Sequence, residues 1–243
     1  MTSLAARCPW GELSWPELIE QLFALGRTDI PLSRLTEGHI DAVRILAEAG
    51  LTPQPGLYGV WASRSGGTGV HGTPSGEDWI LDGKLRFASG AGVIDRALLP
   101  VQAEHGAQLL DVGVLDWRFE DDWRSPAMAA SRSLSATLDR QRAEGRTVGP
   151  PDFYLSRPGF HPGGIGVAAV WTGGAARVLD LLERAHARRG ASEASQARRT
   201  YSGVPLTLTC IGYTPGWETA RPWPSGRMTT VSPSRTSSAR STT

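Results

Sequence analysis

The stretch Trp79-Ile-Leu-Asp-Gly-Lys-Leu-Arg-Phe-Ala88 is the strongest indication of the fold class. Residues that favour strands stand on both sides of Asp82-Gly83, a dipeptide typical of tight turns, and this pattern predicts a β-hairpin. Residues 97–102 and 108–112 form a second apolar pair around His105-Gly106, and residues 57–61 and 133–138 are further strand candidates. Short strands separated by turns at this spacing predict an antiparallel β-sandwich or barrel.

Helical patterns flank this β-region on both sides. Ser14-x-x-Glu17 is a capping box, and apolar residues follow it at helical spacing. A second helix is predicted from about residue 32 to residue 49, with His39 on its apolar stripe; a ligand role is possible, but a buried, hydrogen-bonded histidine is favoured. A long helix is predicted after Gly163, and its first half consists largely of Gly and Ala. Such small residues indicate that something packs closely there, either another helix or a ligand.

The predicted class is α+β. It has an N-terminal helical segment (1–55), a central antiparallel β-sandwich or barrel domain (56–158), the first helix of a C-terminal helical bundle (159–190) and an aberrant or disordered tail (191–243). From residue 203 onward the only acidic residue is Glu218, and neither the helical nor the strand period continues. Such a stretch lacks the apolar density that offsets chain entropy. A reading-frame change between 190 and 205 is our hypothesis for it, and a natural disordered tail is the alternative.

Composition and motifs exclude several function classes. The net charge of +1 gives no indication of a nucleic-acid or membrane partner, and Cys8 and Cys210 do not form a disulfide framework. The N-terminus lacks the apolar region of a signal sequence and no uninterrupted run of 18 apolar residues occurs, so a cytoplasmic protein is expected. The histidines lack metal-ligand spacing, and no G-x-S-x-G motif of a hydrolase occurs. The letters G-x-G-x-x-A at 164–169 lack the preceding strand that a dinucleotide-binding motif needs.

Three segments give this order of elements a family resemblance. Residues 25–42, the stretch Leu81-Asp-Gly-Lys-Leu-Arg-Phe-Ala-Ser-Gly-Ala-Gly-Val-Ile-Asp95 and residues 148–166 are similar to parts of the flavin-dependent acyl-CoA dehydrogenases. In order, they resemble the approach to the β-domain, a strand of that domain and the crossing into the first C-terminal helix. Together they place the resemblance over residues 16–189.

The resemblance implies a flavoprotein with FAD that oxidises the Cα–Cβ bond of an acyl thioester, with a separate electron acceptor and a homo-oligomeric state. It implies that Phe87, Ala88 and Ser89 face the flavin, where a flat apolar wall and hydrogen bonds tune hydride acceptance. Trp61 and Ala62, on the first strand, would supply the other side. From the residues alone, a core aromatic on a half-buried strand is the favoured interpretation of Phe87.

Two departures from the family pattern bear on activity. The stretch Trp61-Ala-Ser-Arg-Ser-Gly-Gly-Thr-Gly69 has neither the acid nor the proline of the Thr-Glu-Pro element that the family carries. The helical bundle that would supply the catalytic carboxylate is represented by one helix, so no catalytic residue is assigned. The alternative is a non-catalytic remnant that lacks this bundle. A helix that lacks its bundle partners exposes its apolar stripe, which predicts poor solubility or self-association through this helix.

Overall fold

The structure, a computed structural model, describes residues 10–189, and all of them belong to one compact unit. The predicted tail (191–243), Cys8 and Cys210 lie outside the described residues. The helices are α1 (Trp15–Thr28), α2 (Ile30–Glu48), the short α3 (Phe153–Ser156) and α4 (Phe160–Arg189). The strands are β1 (Tyr58–Val60), β2 (Gly69–Ser75), β3 (Asp78–Ala88), β4 (Arg96–Ala103), β5 (Gly106–Gly113) and β6 (Leu134–Thr147).

Strands β2 to β6 close into a barrel, β1 pairs with β4 alone, and the arrangement confirms the α+β class. The order is β1-β4-β2-β3-β6-β5, and β5 pairs back onto β4. Most neighbours are antiparallel, but β1 and β2 both run parallel to β4, so the sheet is mixed. The β4–β5 hairpin around His105-Gly106 is present as predicted. The interior is filled by alternating residues of the strands, among them Val70, Leu81, Leu99 and Leu110.

The hairpin predicted at Asp82-Gly83 is wrong, because β3 runs straight through it. The hairpin joins β2 to β3 instead, at the turn between Ser75 and Asp78. Asp82 accepts a hydrogen bond from the backbone N–H of Arg140, which has φ 47° at an irregularity in β6. Gly83 has φ 135°, and a Cβ there would overlap the Gly69 carbonyl of β2. Asp82 therefore stabilises the irregularity in β6, and Gly83 allows close contact between β3 and β2; neither residue forms a turn.

The helices begin where their capping residues indicate. Ser14 and Glu17 form the predicted capping box at α1, and Asp29 caps α2 by accepting from the N–H of Leu32. Helix α2 packs on the barrel through Ile45 and Leu46. His39 is the buried, hydrogen-bonded histidine that the sequence favours: its Nδ1 accepts from the N–H of Tyr58 at 3.1 Å, and burial lowers its pKa.

Two buried ionic clusters join the elements. Asp111 is fully buried in β5 and accepts from Arg96 Nε (2.7 Å), Arg146 Nε (3.1 Å) and the Tyr58 hydroxyl (3.2 Å). Arg157, next to α3, donates to Asp41 and Glu48 of α2 at 3.0 and 3.2 Å. Removing one partner of such a buried group leaves an uncompensated charge, which costs about 3–5 kcal/mol.

Glycines allow α1 and α4 to approach to backbone contact. A Cβ at Gly26 of α1 would overlap the Val170 carbonyl of α4, and a Cβ at Gly173 would overlap the Phe23 carbonyl. The Gly- and Ala-rich half of α4 therefore packs against a helix, the first of the two predicted explanations. Arg27 and Asp180 form a salt bridge between the same two helices.

Replacing Gly173 by alanine tests this contact. The added methyl group meets backbone that cannot move aside, so Gly173→Ala should lower the free energy of unfolding by about 1–3 kcal/mol. Gly164 of the same helix has no atom within 4 Å of an added Cβ, so Gly164→Ala should be neutral or stabilising by up to about 1 kcal/mol. Denaturant melts of both variants make the comparison, and equal effects would contradict the backbone contact.

A second prediction concerns Glu37 of α2. Burial, opposed by its ion pair with Arg34 and reinforced by Asp41, raises the pKa of Glu37 to about 7 from its ordinary 4.5. The folded chain therefore holds a proton that the unfolded chain releases. The stability contributed by this group is full below pH 4.5 and is lost as the pH rises through about 7.

Glu37→Gln removes that loss, so the variant should be more stable than the parent at pH 8, on the order of 1–3 kcal/mol. No difference is expected near pH 4, where both side chains are neutral. Denaturant melts at the two pH values measure this, and a pH-independent difference would contradict the raised pKa.

Candidate functional site

A bulge at the end of β3 turns an aromatic side chain out of the barrel. Leu85 and Ala88 both lie inside and pair with Ala136 and Leu134 of β6, so β3 has one residue more than its partner between these pairs. The extra residue is accommodated by Phe87, which has φ 59° and is 43% exposed. A positive φ at a bulky residue is a strained conformation that the surrounding structure must hold.

The Phe87 ring is flanked by two side chains that leave part of it open. Trp123 meets it edge to face, with centroids 6.4 Å apart and planes at 83°. The indole N–H of Trp123 donates to the Ala127 carbonyl at 2.9 Å, which fixes its orientation. The Arg86 guanidinium lies 5.0 Å from the centroid of the Phe87 ring, in cation–π contact.

Three serine hydroxyls form a chain beside Phe87. Ser89 Oγ lies 2.8 Å from Ser133 Oγ, which lies 2.9 Å from Ser131 Oγ, and Ser131 donates to the Met128 carbonyl at 2.8 Å. Each hydroxyl has one proton. The Ser131 proton is used in the hydrogen bond to the Met128 carbonyl, so Ser133 must donate to Ser131. The Ser133 proton is then used as well, so Ser89 must donate to Ser133. The half-buried Ser89 hydroxyl therefore offers lone pairs to a ligand.

Two cations lie at the same end of the barrel. Among residues 10–189, neither Arg86 nor Arg132 forms a salt bridge. Arg132 has φ 44°, and its Nε donates to the Ala91 carbonyl at 2.7 Å. Gly66, with φ 70° in the loop after β1, brings its backbone close to the Arg86 guanidinium. Exposed, unpaired guanidinium groups suit an anionic group such as a phosphate.

Backbone strain concentrates at this end. Of the five non-glycine residues with positive φ among those described, three are Phe87, Met128 and Arg132. Each such residue costs on the order of 1–3 kcal/mol and persists where the surrounding contacts over-determine it. Functional sites are where such strain collects, so this end of the barrel is the candidate site.

The structure places the predicted site residues at two depths. Phe87 is exposed, Ser89 and Ala62 are half-buried, and Trp61 and Ala88 lie in the barrel core. The Trp61 indole N–H donates to the Ser89 carbonyl at 2.9 Å and its ring packs near Trp117 and Phe119. Trp61 thus supports the bulge from below, whereas Phe87 and Ser89 present groups to the outside. Their contact with a cofactor stays a prediction.

Sequence reasoning missed the second half of the site, which comes from residues 123–133. Trp123, Ser131, Arg132 and Ser133 approach Phe87 and Ser89 only because β6 pairs with β3. The N–H groups of Gly90 and Ala91 donate to the carbonyls of Ser131 and Arg132 and hold the two loops together. The high tryptophan content of the sequence was the one feature that indicated large aromatic surfaces, and it does not distinguish Trp123 from the other tryptophans.

Two carboxylates of the neighbouring segment, Glu120 and Asp122, are weak bases. The Thr137 hydroxyl and Lys84 lower the pKa of the exposed Glu120, and the Ser135 hydroxyl lowers the pKa of Asp122. Both groups are therefore ionised and engaged. In residues 10–189 no group of three or more His, Cys, Asp or Glu side chains could hold a metal ion.

No protein-family model matches the sequence, and no curated protein matches it. Solved structures do share the fold. Dibenzothiophene monooxygenase TdsC from Paenibacillus sp. A11-2, solved with FMN and indole, has a TM-score of 0.55 at 20% identity over 71% of this chain and 50% of its own. KijD3, solved with FMN and dTDP-3-amino-2,3,6-trideoxy-4-keto-3-methyl-D-glucose, has a TM-score of 0.56 at 15% identity over 69% and 48%.

FkbI, for biosynthesis of a methoxymalonyl extender unit, has a TM-score of 0.59 at 18% identity over 77% of this chain and 60% of its own. At these identities the likeness establishes the fold, and the chain spans about half the length of the first two structures. The predicted fold is thereby confirmed, and the TdsC and KijD3 structures that share it contain FMN. The narrower identity of an acyl-CoA dehydrogenase is not part of what the likeness shows.

Two substitutions of Phe87 separate backbone strain from the aromatic wall. Phe87→Ala removes the ring and keeps a strained φ, whereas Phe87→Gly removes both. The glycine variant should be more stable than the alanine variant by about 1 kcal/mol, because glycine adopts a positive φ freely. Thermal melts measure the difference, and an alanine variant as stable as the glycine variant would contradict the strained bulge.

Proposed function

We propose that this chain binds a flavin at the β3 bulge and serves flavin-dependent oxidation. The observation that supports it most is the exposed Phe87 ring, held outward by a strained bulge beside the Ser89–Ser133–Ser131 chain. A flavin needs a flat apolar surface with hydrogen-bonding groups at its edge, and these residues fit that need. The FMN found in structures of the same fold supports the proposal.

The residues of the site would act in distinct ways. Phe87 offers the exposed part of its ring to an aromatic ligand, and Trp123, whose plane is nearly perpendicular to that ring, limits the direction of approach. Ser89 accepts a hydrogen bond from a ring N–H, since its own proton is committed to Ser133. Arg86 and Arg132 supply positive charge for a phosphate. Trp61 keeps Ser89 in position through the Ser89 carbonyl.

A bound flavin supplies the capacity to accept a hydride from a substrate carbon. Following the resemblance, the proposed substrate is an acyl-CoA-type thioester oxidised at its Cα–Cβ bond, with FAD as the flavin and a separate electron acceptor. The TdsC and KijD3 structures contain FMN rather than FAD. The choice between the two flavins is therefore part of the test. A cytoplasmic location belongs to the same proposal.

A second candidate is a flavin-binding protein without turnover. Removing an α-proton needs a base whose pKa suits the task. Glu120 and Asp122 have lowered pKa values and are engaged by Lys84, Thr137 and Ser135. The described part of the site therefore supports flavin binding more directly than proton abstraction.

Titration of the purified chain with FAD and with FMN tests the proposal. Binding should change the visible absorbance and quench the flavin fluorescence. Phe87→Ala should weaken binding by roughly tenfold, which corresponds to about 1.4 kcal/mol. Glu77→Ala, in the turn at the opposite end of β3, should bind as the parent does.

Absence of binding of either flavin would contradict the proposal, as would equal affinity of the two variants. The two candidates differ in a turnover assay of the flavin-loaded chain with acyl-CoA and an artificial electron acceptor. Reduction of the acceptor supports the enzyme, and binding without reduction supports the second candidate.

A further inference from the structure

Helix α4 carries a second apolar stripe that faces away from the barrel and from α1. Gly164, Ala168, Trp171, Ala175, Val178 and Leu182 follow one another at alternating steps of four and three residues. This is the spacing of the a and d positions of a coiled coil. We call these six residues the outer seam. Trp171, Val178 and Leu182 are 48%, 53% and 42% exposed.

The opposite face of α4 is already occupied. Gly173 and Val170 touch α1 at backbone distance, and Gly166 lies against Leu22 of the same helix. Helix α1 therefore cannot cover the outer seam. Ile165, Leu179 and Leu181 widen it and are themselves about half exposed. Helix Phe160–Arg188 is long and apolar enough, by length and composition alone, to cross a membrane, which makes a lipid surface the main competitor.

The side-chain sizes along the outer seam identify the occupant. The seam is symmetric about position 173, and it contains three small residues and three large ones: Gly164, Ala168 and Ala175 are small, and Trp171, Val178 and Leu182 are large. An antiparallel copy centred there sets Gly164 opposite Leu182, Ala168 opposite Val178 and Ala175 opposite Trp171. In each pair a small residue faces a large one, the condition for close interdigitation. A parallel copy would set Trp171 against Trp171 and Gly164 against Gly164.

We propose that the outer seam binds the outer seam of a second copy of this chain, with the two α4 helices antiparallel around position 173. Only two charged residues, Arg177 and Asp180, lie between 164 and 182, and Asp180 is paired with Arg27 of its own chain. No like-charge contact therefore opposes the pairing. An antiparallel pair also buries the same surface on both copies, which closes the assembly at a dimer.

Sedimentation of the full chain tests the proposal first. The parent should have about twice the chain mass of 26.0 kDa. Val178→Glu puts a charge in the outer seam and should give the single-chain mass. Arg184→Glu changes an exposed residue of the same helix outside the seam and should leave the dimer intact. A monomeric parent, or a dimer that survives Val178→Glu, would overturn the proposal.

Disulfide trapping tests the direction without a charged substitution. In a background of Cys8→Ser and Cys210→Ser, the double variant Ala168→Cys/Val178→Cys should form a covalent dimer on mild oxidation. Within one helix these positions are roughly 15 Å apart, too far for an internal bridge. Each single variant should remain uncrosslinked, because its partner position is not cysteine.

The competing occupants give different results. A parallel pair would crosslink Ala168→Cys alone, and coverage by residues 190–243 of the same chain would leave the double variant monomeric. A lipid surface would show as co-sedimentation of the parent with phosphatidylcholine vesicles and no covalent dimer. Each of these results overturns the antiparallel pairing.

Discussion

The packing of β3 inside the barrel is the constraint on which the site depends. Leu85 and Ala88 must both fill the interior, while β6 offers one residue between their partners. The strand therefore carries an extra residue, and Phe87 takes the left-handed conformation that leaves its ring outside. The turn after it places Ser89 beside Ser133 and lets Gly90 and Ala91 bind the backbone of residues 131–132. One packing requirement thus creates the aromatic wall, the hydroxyl chain and the contact between the two loops.

The helices are organised by a different constraint, the approach of two backbones at Gly26 and Gly173. This contact commits one face of α4 to α1 and leaves the other face without a partner among the described residues. Large side chains left in water forgo about 1.5–3 kcal/mol each, and a whole domain has a margin of only about 5–15 kcal/mol. Coverage of the outer seam therefore matters to the stability of the chain as well as to its assembly.

Local chemistry was predictable from the sequence and non-local chemistry was not. The capping box at Ser14, the burial of His39 and the hairpin around His105-Gly106 each rest on neighbouring residues. The hairpin prediction at Asp82-Gly83 was wrong because this dipeptide, which is common in turns, also occurs in other settings. Here Asp82 accepts a hydrogen bond at the irregularity in β6, and Gly83 allows a close contact with β2. Phe87 and Ser89 could be named from the resemblance, but the direction of the hydroxyl chain depends on Ser131 and Ser133, which lie more than forty residues away. The Asp111 cluster could not be predicted for the same reason, because the three partners of Asp111 come from three other strands.

Hydrogen exchange of the full chain, measured with and without saturating flavin, locates the bound ligand. If the flavin binds at the β3 bulge, the amides of residues 86–93 and 128–134 should exchange more slowly in its presence. The β2–β3 turn at residues 75–78, at the far end of the same strand, should be unchanged. Protection confined to other segments, or no protection at all at saturating flavin, would contradict flavin binding at the β3 bulge.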